Sequence, residues 1–268
     1  GLATAIFLPL VAWSIWVGPY IPFDLQSILG LATPQATQKV WNFVIIAYCF
    51  IAGIVPVWAL LQPRGHLGGY FLYVSIVVAF IGIVFGGFTT KYPAFTKPLG
   101  SDDFWFPMFP ILFITVACGA CSGFHSLVSS GTTSKQLLRE TDAKPVGYGM
   151  MLAESVVALI ALSTVMMLAK GDPILSKSPN FIYASGLGSF MELIGVSKAL
   201  GISFGLMAFT TFVYDTLDVC TRLGRFIIQE LTGWKGWGGR IGSTLLVGGF
   251  PLILMSINLT DPAGKPVA

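Results

Sequence analysis

Long apolar stretches, separated by short polar joints, dominate this chain and leave it few ways to fold. A hydrocarbon core of about 30 Å takes roughly 20 helical residues to cross. Seven stretches approach or reach that length: 2–17, 40–61, 67–88, 108–129, 147–170, 199–219 and 241–258. Peptide groups inside lipid must bond to one another, so such runs predict helices, and a transmembrane barrel would instead show short alternating strands. The expected fold class is therefore all-α, a polytopic transmembrane helix bundle forming a single domain over residues 1–268. Charged residues make up 10% of the chain, against about a quarter in soluble domains, which excludes an ordinary water-soluble fold. The segment 181–200 is apolar and glycine-rich but interrupted, so the pattern leaves open whether it crosses.

The chain opens at Gly1 inside an apolar run that lacks the positive flank of a signal peptide. This predicts a portion of a longer protein. A net charge of +3 spread over joints is no nucleic-acid footprint, and the basic residues read as topology markers. Seven spans put the joints 62–66, 130–146 and 220–240 on one side, together with Arg64, Arg139, Arg222, Arg225 and Arg240, and that side is expected to be cytoplasmic. Multi-pass insertion in the cell membrane follows. The four cysteines lie in or beside apolar segments and imply no disulfide framework.

Polar residues inside the apolar stretches carry the functional signal. From Ala117 to Gly131, eleven of fifteen residues are Ala, Cys, Gly or Ser. Thr115, Cys118, Ser122, His125 and Ser129 follow spacings of 3, 4, 3 and 4, one stripe of a continuous helix. A packing seam of small residues is one reading. The other is a broken helix whose freed backbone groups and hydroxyls bind a solute or ion, since a histidine there is costly unless it faces protein or water. The candidate substrate- and ion-binding residues are Cys118, Gly119, Ser122, Gly123, His125, Ser129, Ser130, Thr132 and Thr133. Cys118 and Cys121 form a CxxC, but no second ligand pair completes a metal set, so no metal is expected.

In a second stripe Asp215, Asp218, Arg222 and Arg225 share one helix face, where opposite charges one turn apart can neutralise each other; it reads either as a helix end with its arginines in the headgroups or, since the carboxylates lie deeper, as a functional site. Glu154 begins the second turn of its helix, either solvated near the helix start or facing the bundle as a proton carrier. Coupling candidates are thus His125, Glu154, Asp218 and Arg222. Pro56 removes a backbone bond and is expected to kink the 40–61 helix.

At these residues the chain resembles the carbon starvation protein A family of pyruvate or small-peptide transporters. Four blocks carry the resemblance: PVWALLQPRGHL at 56–67, the run from Phe109 to Leu137, GYGMMLAE at 147–154 and TLDVCTRLGRFIIQEL at 216–231. Departures are Gly65 and His66 where the family continues with Asp and Tyr, Cys121 in place of an aliphatic residue, and Asp215 in place of Thr. The family's N-terminal glycine-rich, histidine-containing segment is not among these residues. The resemblance implies an inverted-repeat fold like that of the amino acid-polyamine-organocation superfamily, with 108–133 as the broken helix of the second repeat. It also implies secondary active uptake of pyruvate or small peptides, coupled to H+ or Na+, with no other cofactor and no enzymatic activity. Expected partners are membrane lipid, a small-molecule substrate, and the remaining portion of the protein or a companion subunit, with no nucleic acid. A different class is a non-transporting scaffold or accessory subunit, which would tolerate His125→Ala but lose assembly when Gly119 or Gly123 is enlarged.

Overall fold

The computed structural model describes residues 2–21, 24–31, 33–92, 108–169 and 171–256. Among them there is no strand. The helices are α1 (Leu2–Val17), α2 (Leu25–Ile28), α3 (Pro34–Ile54), α4 (Val57–Phe85), α5 (Met108–Ala120), α6 (Gly123–Val128), α7 (Met150–Met166), α8 (Pro179–Glu192), α9 (Lys198–Thr232) and α10 (Gly236–Ser256). Two compact units form, one from residues up to Val74 together with those from Leu206 onward, the other from Ser75 to Gly205.

In the first unit, Thr33 starts α3 by accepting the Ala36 N–H on its hydroxyl at 3.3 Å, and Pro34 occupies the first turn, where its missing N–H costs nothing. Pro56 ends α3. It cannot donate to the helix, and it drives Val55 into extended backbone with ψ of 143°. The chain then reverses into α4, as the contact of Arg64 with Tyr48 records. The expected kink at Pro56 is thus a complete break between two helices. The expected joint at 62–66 lies inside α4 instead, with Pro63 accommodated in the helix. Arg64 therefore does not mark a loop.

Helix α10 packs on α3 through glycines that let backbones approach. A Cβ on Gly53 would sit 2.8 Å from Thr244 Cγ2 and 3.0 Å from Thr221 Cγ2, and one on Gly248 would sit 2.7 Å from the Phe50 ring. Opposed pairs Gly53/Thr244 and Phe50/Gly248 make α3 and α10 antiparallel, so the Val55–Pro56 turn and the turn after Thr232 lie at the same end.

In the second unit, α8 is buried over most of its length, including Ala184, Leu187 and Phe190. Its small residues meet equally small neighbours: Gly201 approaches Gly188 and Gly205 approaches Ala184 so closely that a Cβ would come within 2.7 Å of each backbone. The ambiguous 181–200 segment takes in most of this 14-residue helix, the turn after it and the first residues of α9; the helix itself is about 21 Å long.

Among the described residues six helical stretches are long and apolar enough to cross a membrane, rather than the seven expected: Gln35–Ile54, Val57–Phe85, Phe113–Gln136, Glu140–Met166, Lys198–Thr232 and Gly236–Ser256. The difference is α1, whose 16 residues reach about 24 Å. The expected 40–61 starts earlier, at the Thr33 cap, and ends earlier because the break is at Pro56, which also moves the start of the expected 67–88 back to Val57. The expected 199–219 continues to Thr232 because Asp215, Asp218, Arg222 and Arg225 remain helical. Residues 170, 257 and 258 of the expected spans lie outside the described residues.

Candidate functional site

Two turns into α4, Arg64 is aimed at the carboxylates of α9. Its Nη1 lies 2.9 Å from Asp218 Oδ2 and its Nε 3.1 Å from Asp215 Oδ1. Nη1 also donates to the Tyr48 hydroxyl, and Nη2 donates to the Thr211 carbonyl at 3.3 Å. The Tyr48 hydroxyl in turn donates to Asp218 Oδ2 at 2.9 Å. Tyr48 and Tyr214 flank the guanidinium, with ring centroids 5.6 and 5.7 Å from its carbon, within range of cation–π attraction. Gly68, one turn beyond Arg64, leaves room for Asp215, whose Oδ2 would be 3.4 Å from a Cβ there.

This junction of α3, α4 and α9 lies inside the helical bundle. Tyr48 precedes the end of α3 by six residues and Arg64 follows the start of α4 by seven. At 1.5 Å per residue both are about 10 Å from the break. The Asp218 side chain is 0% exposed, Arg64 22% and Asp215 25%. A charge held at that depth costs several kcal/mol unless it is paired and hydrogen-bonded, and here three helices supply the partners.

Arg222 and Arg225 do something other than the sequence spacing predicts. Among the described residues the ion partner of Asp218 is Arg64, from another helix, rather than Arg222 one turn along. Arg222 Nη1 donates to the Val55 carbonyl at 2.7 Å, and Arg225 Nη1 donates to the Gly53 carbonyl at 2.5 Å. The reason is the break: with Pro56 unable to donate, the last carbonyls of α3 have no helical partners and sit at the negative end of its dipole, where a guanidinium is favoured. Both arginines are buried. Among the described residues, Nε and Nη2 of Arg222, the planar edge that matches a carboxylate, have no hydrogen-bond partner, nor does Asp218 Oδ1.

The second unit holds the other candidates. The helix predicted over 108–133 is interrupted at Cys121–Ser122, where Ser122 adopts ψ of 111° and its hydroxyl accepts the His125 N–H at 3.3 Å. Cys118 and Gly119 end α5, and both thiols of the CxxC are free and exposed. Gly123 and His125 begin α6, and Ser129, Ser130, Thr132 and Thr133 form a π-helical turn, a geometry frequent at functional sites. The break resets the helical register, so Thr115 and Cys118 do not continue one stripe into His125 and Ser129. A Cβ on Gly119 or Gly123 would meet nothing within 4 Å, so neither glycine is used for packing among the described residues. The structure brings together two coupling candidates here: His125 Nε2 lies 3.9 Å from Glu154 Oε1, both well exposed.

Arg64 and Tyr48 were missed by sequence reasoning. The usable signal was Pro56: once the break is placed there, the apolar residues on both sides of the short polar stretch 62–66 belong to one spanning helix and carry Arg64 inside it.

A family model described as carbon starvation protein CstA matches residues 1–182. A peptide transporter CstA of Helicobacter pylori is 33% identical over 274 residues, covering 84% of this chain and 39% of that protein. A pyruvate/proton symporter BtsT of Escherichia coli is 41% identical over 174 residues, covering 64% of this chain and 24% of that protein. A peptide transporter CstA of Bacillus subtilis is 30% identical, covering 86% and 44% respectively. The chain spans less than half the length of these curated relatives. No solved structure matches.

Proposed function

The chain belongs to the carbon starvation protein CstA family, and on that premise we propose that it forms part of a secondary active transporter for small hydrophilic nutrients, peptides or pyruvate, driven by a proton or sodium gradient across the cell's inner membrane. The observation that carries this reading is the Arg64–Asp218–Tyr48 junction, a fully buried carboxylate tied to a guanidinium from a second helix and a hydroxyl from a third. Buried ionisable groups within membrane spans are functional candidates by default.

Asp218 is the coupling group in this reading. Ionised, it holds Arg64 and so ties α9 to α4; protonated, it gives up the charge that pairs them. Each change of its state shifts the balance between packings of these helices, which is how a bound ion drives alternating access. The Nε/Nη2 edge of Arg222, buried and without a partner among the described residues, would pair with a carboxylate of pyruvate or of a peptide C-terminus once the helices part to expose it. A sodium ion would draw instead on hydroxyl and carbonyl oxygens around Ser129, Ser130, Thr132 and Thr133. The broken helix at Cys121–Ser122 supports the inverted-repeat fold as an analogy, with α5 and α6 as its discontinuous helix. The relatives bear transporter names, which favours transport over enzymatic activity.

The open surface around Gly119 and Gly123 also supports the second reading, an accessory membrane subunit whose small-residue face is covered by another chain. Uptake of labelled pyruvate and dipeptides by the full-length protein in proteoliposomes, under imposed pH and sodium gradients, separates the two. Accumulation that follows one gradient supports coupled transport; indifference to both removes it.

A further inference from the structure

The turn joining α9 to α10 is built in a way the transport site does not require. Gly233 and Gly236 adopt positive φ, 68° and 74°, and between them project Trp234 and Lys235. The Trp234 indole lies on the glycine face of α10, where a Cβ on Gly242 would come within 3.0 Å of its ring and one on Gly239 within 2.9 Å of its backbone. Beside it opens a cleft of about 470 Å³ lined by Phe226, Glu230, Trp234, Lys235, Trp237 and Arg240, among others. The Arg240 guanidinium stands over the Trp237 ring at 5.5 Å, and Trp237 is 65% exposed. Lys235 and Arg240 outweigh Glu230, so the lining is net cationic.

Its height is fixed by the packing of α10 on α3. Thr244 lies opposite Gly53, at the end of α3. Arg240 and Trp237 lie four and seven residues further out along α10, about 6 and 10 Å beyond that level. A span the length of α3 just crosses the hydrocarbon, so the cleft sits in the headgroup layer, where Trp, Lys and Arg anchor proteins to lipid.

We propose that the α9–α10 turn is a binding site for the phosphodiester headgroup of an anionic lipid, with Lys235 and Arg240 holding the phosphate and Trp234 and Trp237 covering the glycerol and upper acyl region. The chemistry is that of two cationic donors on one tetrahedral anion beside an amphipathic aromatic pair. A free phosphate ion would use the donors but not the exposed face of Trp237.

The test uses native mass spectrometry of the full-length protein released from nanodiscs holding equal phosphatidylglycerol and phosphatidylcholine. The wild type is expected to retain phosphatidylglycerol selectively. Lys235→Gln/Arg240→Gln is expected to lower that selectivity by about 25-fold, at roughly fivefold per basic residue near the surface, while Lys235→Arg/Arg240→Lys keeps it. A second readout needs no loss of charge: brominated phosphatidylglycerol should quench the Trp237 emission, taken as the difference from Trp237→Phe, more than brominated phosphatidylcholine does. Equal retention by the charge-removed variant, or equal quenching by both lipids, overturns the proposal. Displacement of the lipid by millimolar inorganic phosphate overturns it in favour of a free-anion site.

Discussion

Replacing Arg64 by Gln removes the cation facing Asp218 while leaving the carboxylate where it is, 0% exposed and bonded by Tyr48 alone. Breaking a buried ion pair from one side costs about 3–5 kcal/mol, because the remaining charge is left uncompensated. Arg64 is itself 22% exposed and Asp215 25%, so partial solvation places the expected cost near the lower figure. About 3 kcal/mol is a roughly 150-fold loss in the folding equilibrium. The same cavity with the charge removed from both sides should be milder: Arg64→Gln combined with Asp218→Asn is expected to cost less than the two single changes summed, by about 1.5–3 kcal/mol. Asp215→Thr, which keeps the Arg64–Asp218 pair, is expected to cost less than about 1 kcal/mol. The assay is reversible unfolding of the full-length protein in mixed micelles, run as a double-mutant cycle. Additivity within about 0.5 kcal/mol would refute the assignment of Arg64 as the counter-ion of Asp218.

Other consequences follow from the same geometry. Arg225→Ala removes a charged donor from the Gly53 carbonyl and is expected to destabilise by about 1.5–3 kcal/mol, read in the same unfolding experiment; no change would show the carbonyl satisfied elsewhere. Gly53→Ala drives a methyl against Thr244 and Thr221, and should cost about 1–3 kcal/mol, relieved when Thr244 is changed to Ser. Gly119→Ala meets nothing within 4 Å, so unfolding of the isolated protein should not move; a drop in stability would show a neighbour packed there. Glu154→Gln should leave stability unchanged in the same unfolding experiment, since its contact with His125 is long and exposed; a clear loss would show Glu154 held by a partner other than His125.

The helical architecture was legible because the constraint behind it is local: each apolar run must satisfy its own backbone. The break in the 108–133 helix was half legible: the glycine-rich run allowed a broken helix as one of two readings, but the Thr115–Ser129 stripe assumed a continuous helix across Cys121–Ser122, where Ser122 in fact caps a new one. The Pro56 turn was half legible. The apolar pattern runs on to Leu61 and suggests one kinked helix, and Pro63, Arg64, Gly65 and His66 look like a polar joint. Arg64 stays inside α4 because Asp215 and Asp218 neutralise it, and a pairing across some 154 positions leaves no trace in periodicity. The Arg222 expectation failed in a complementary way. A spacing of four makes Asp218 and Arg222 look like partners, but the carbonyls freed at the end of α3 and the cation arriving from α4 decide otherwise.

Counterflow set against gradient-driven uptake, for Asp218→Asn in the full-length protein reconstituted in liposomes, probes the coupling assignment most directly. With the carboxylate made permanently neutral, exchange of labelled for unlabelled substrate is expected to continue, while accumulation driven by the ion gradient is lost. Uphill uptake at the wild-type level by this variant would contradict the account.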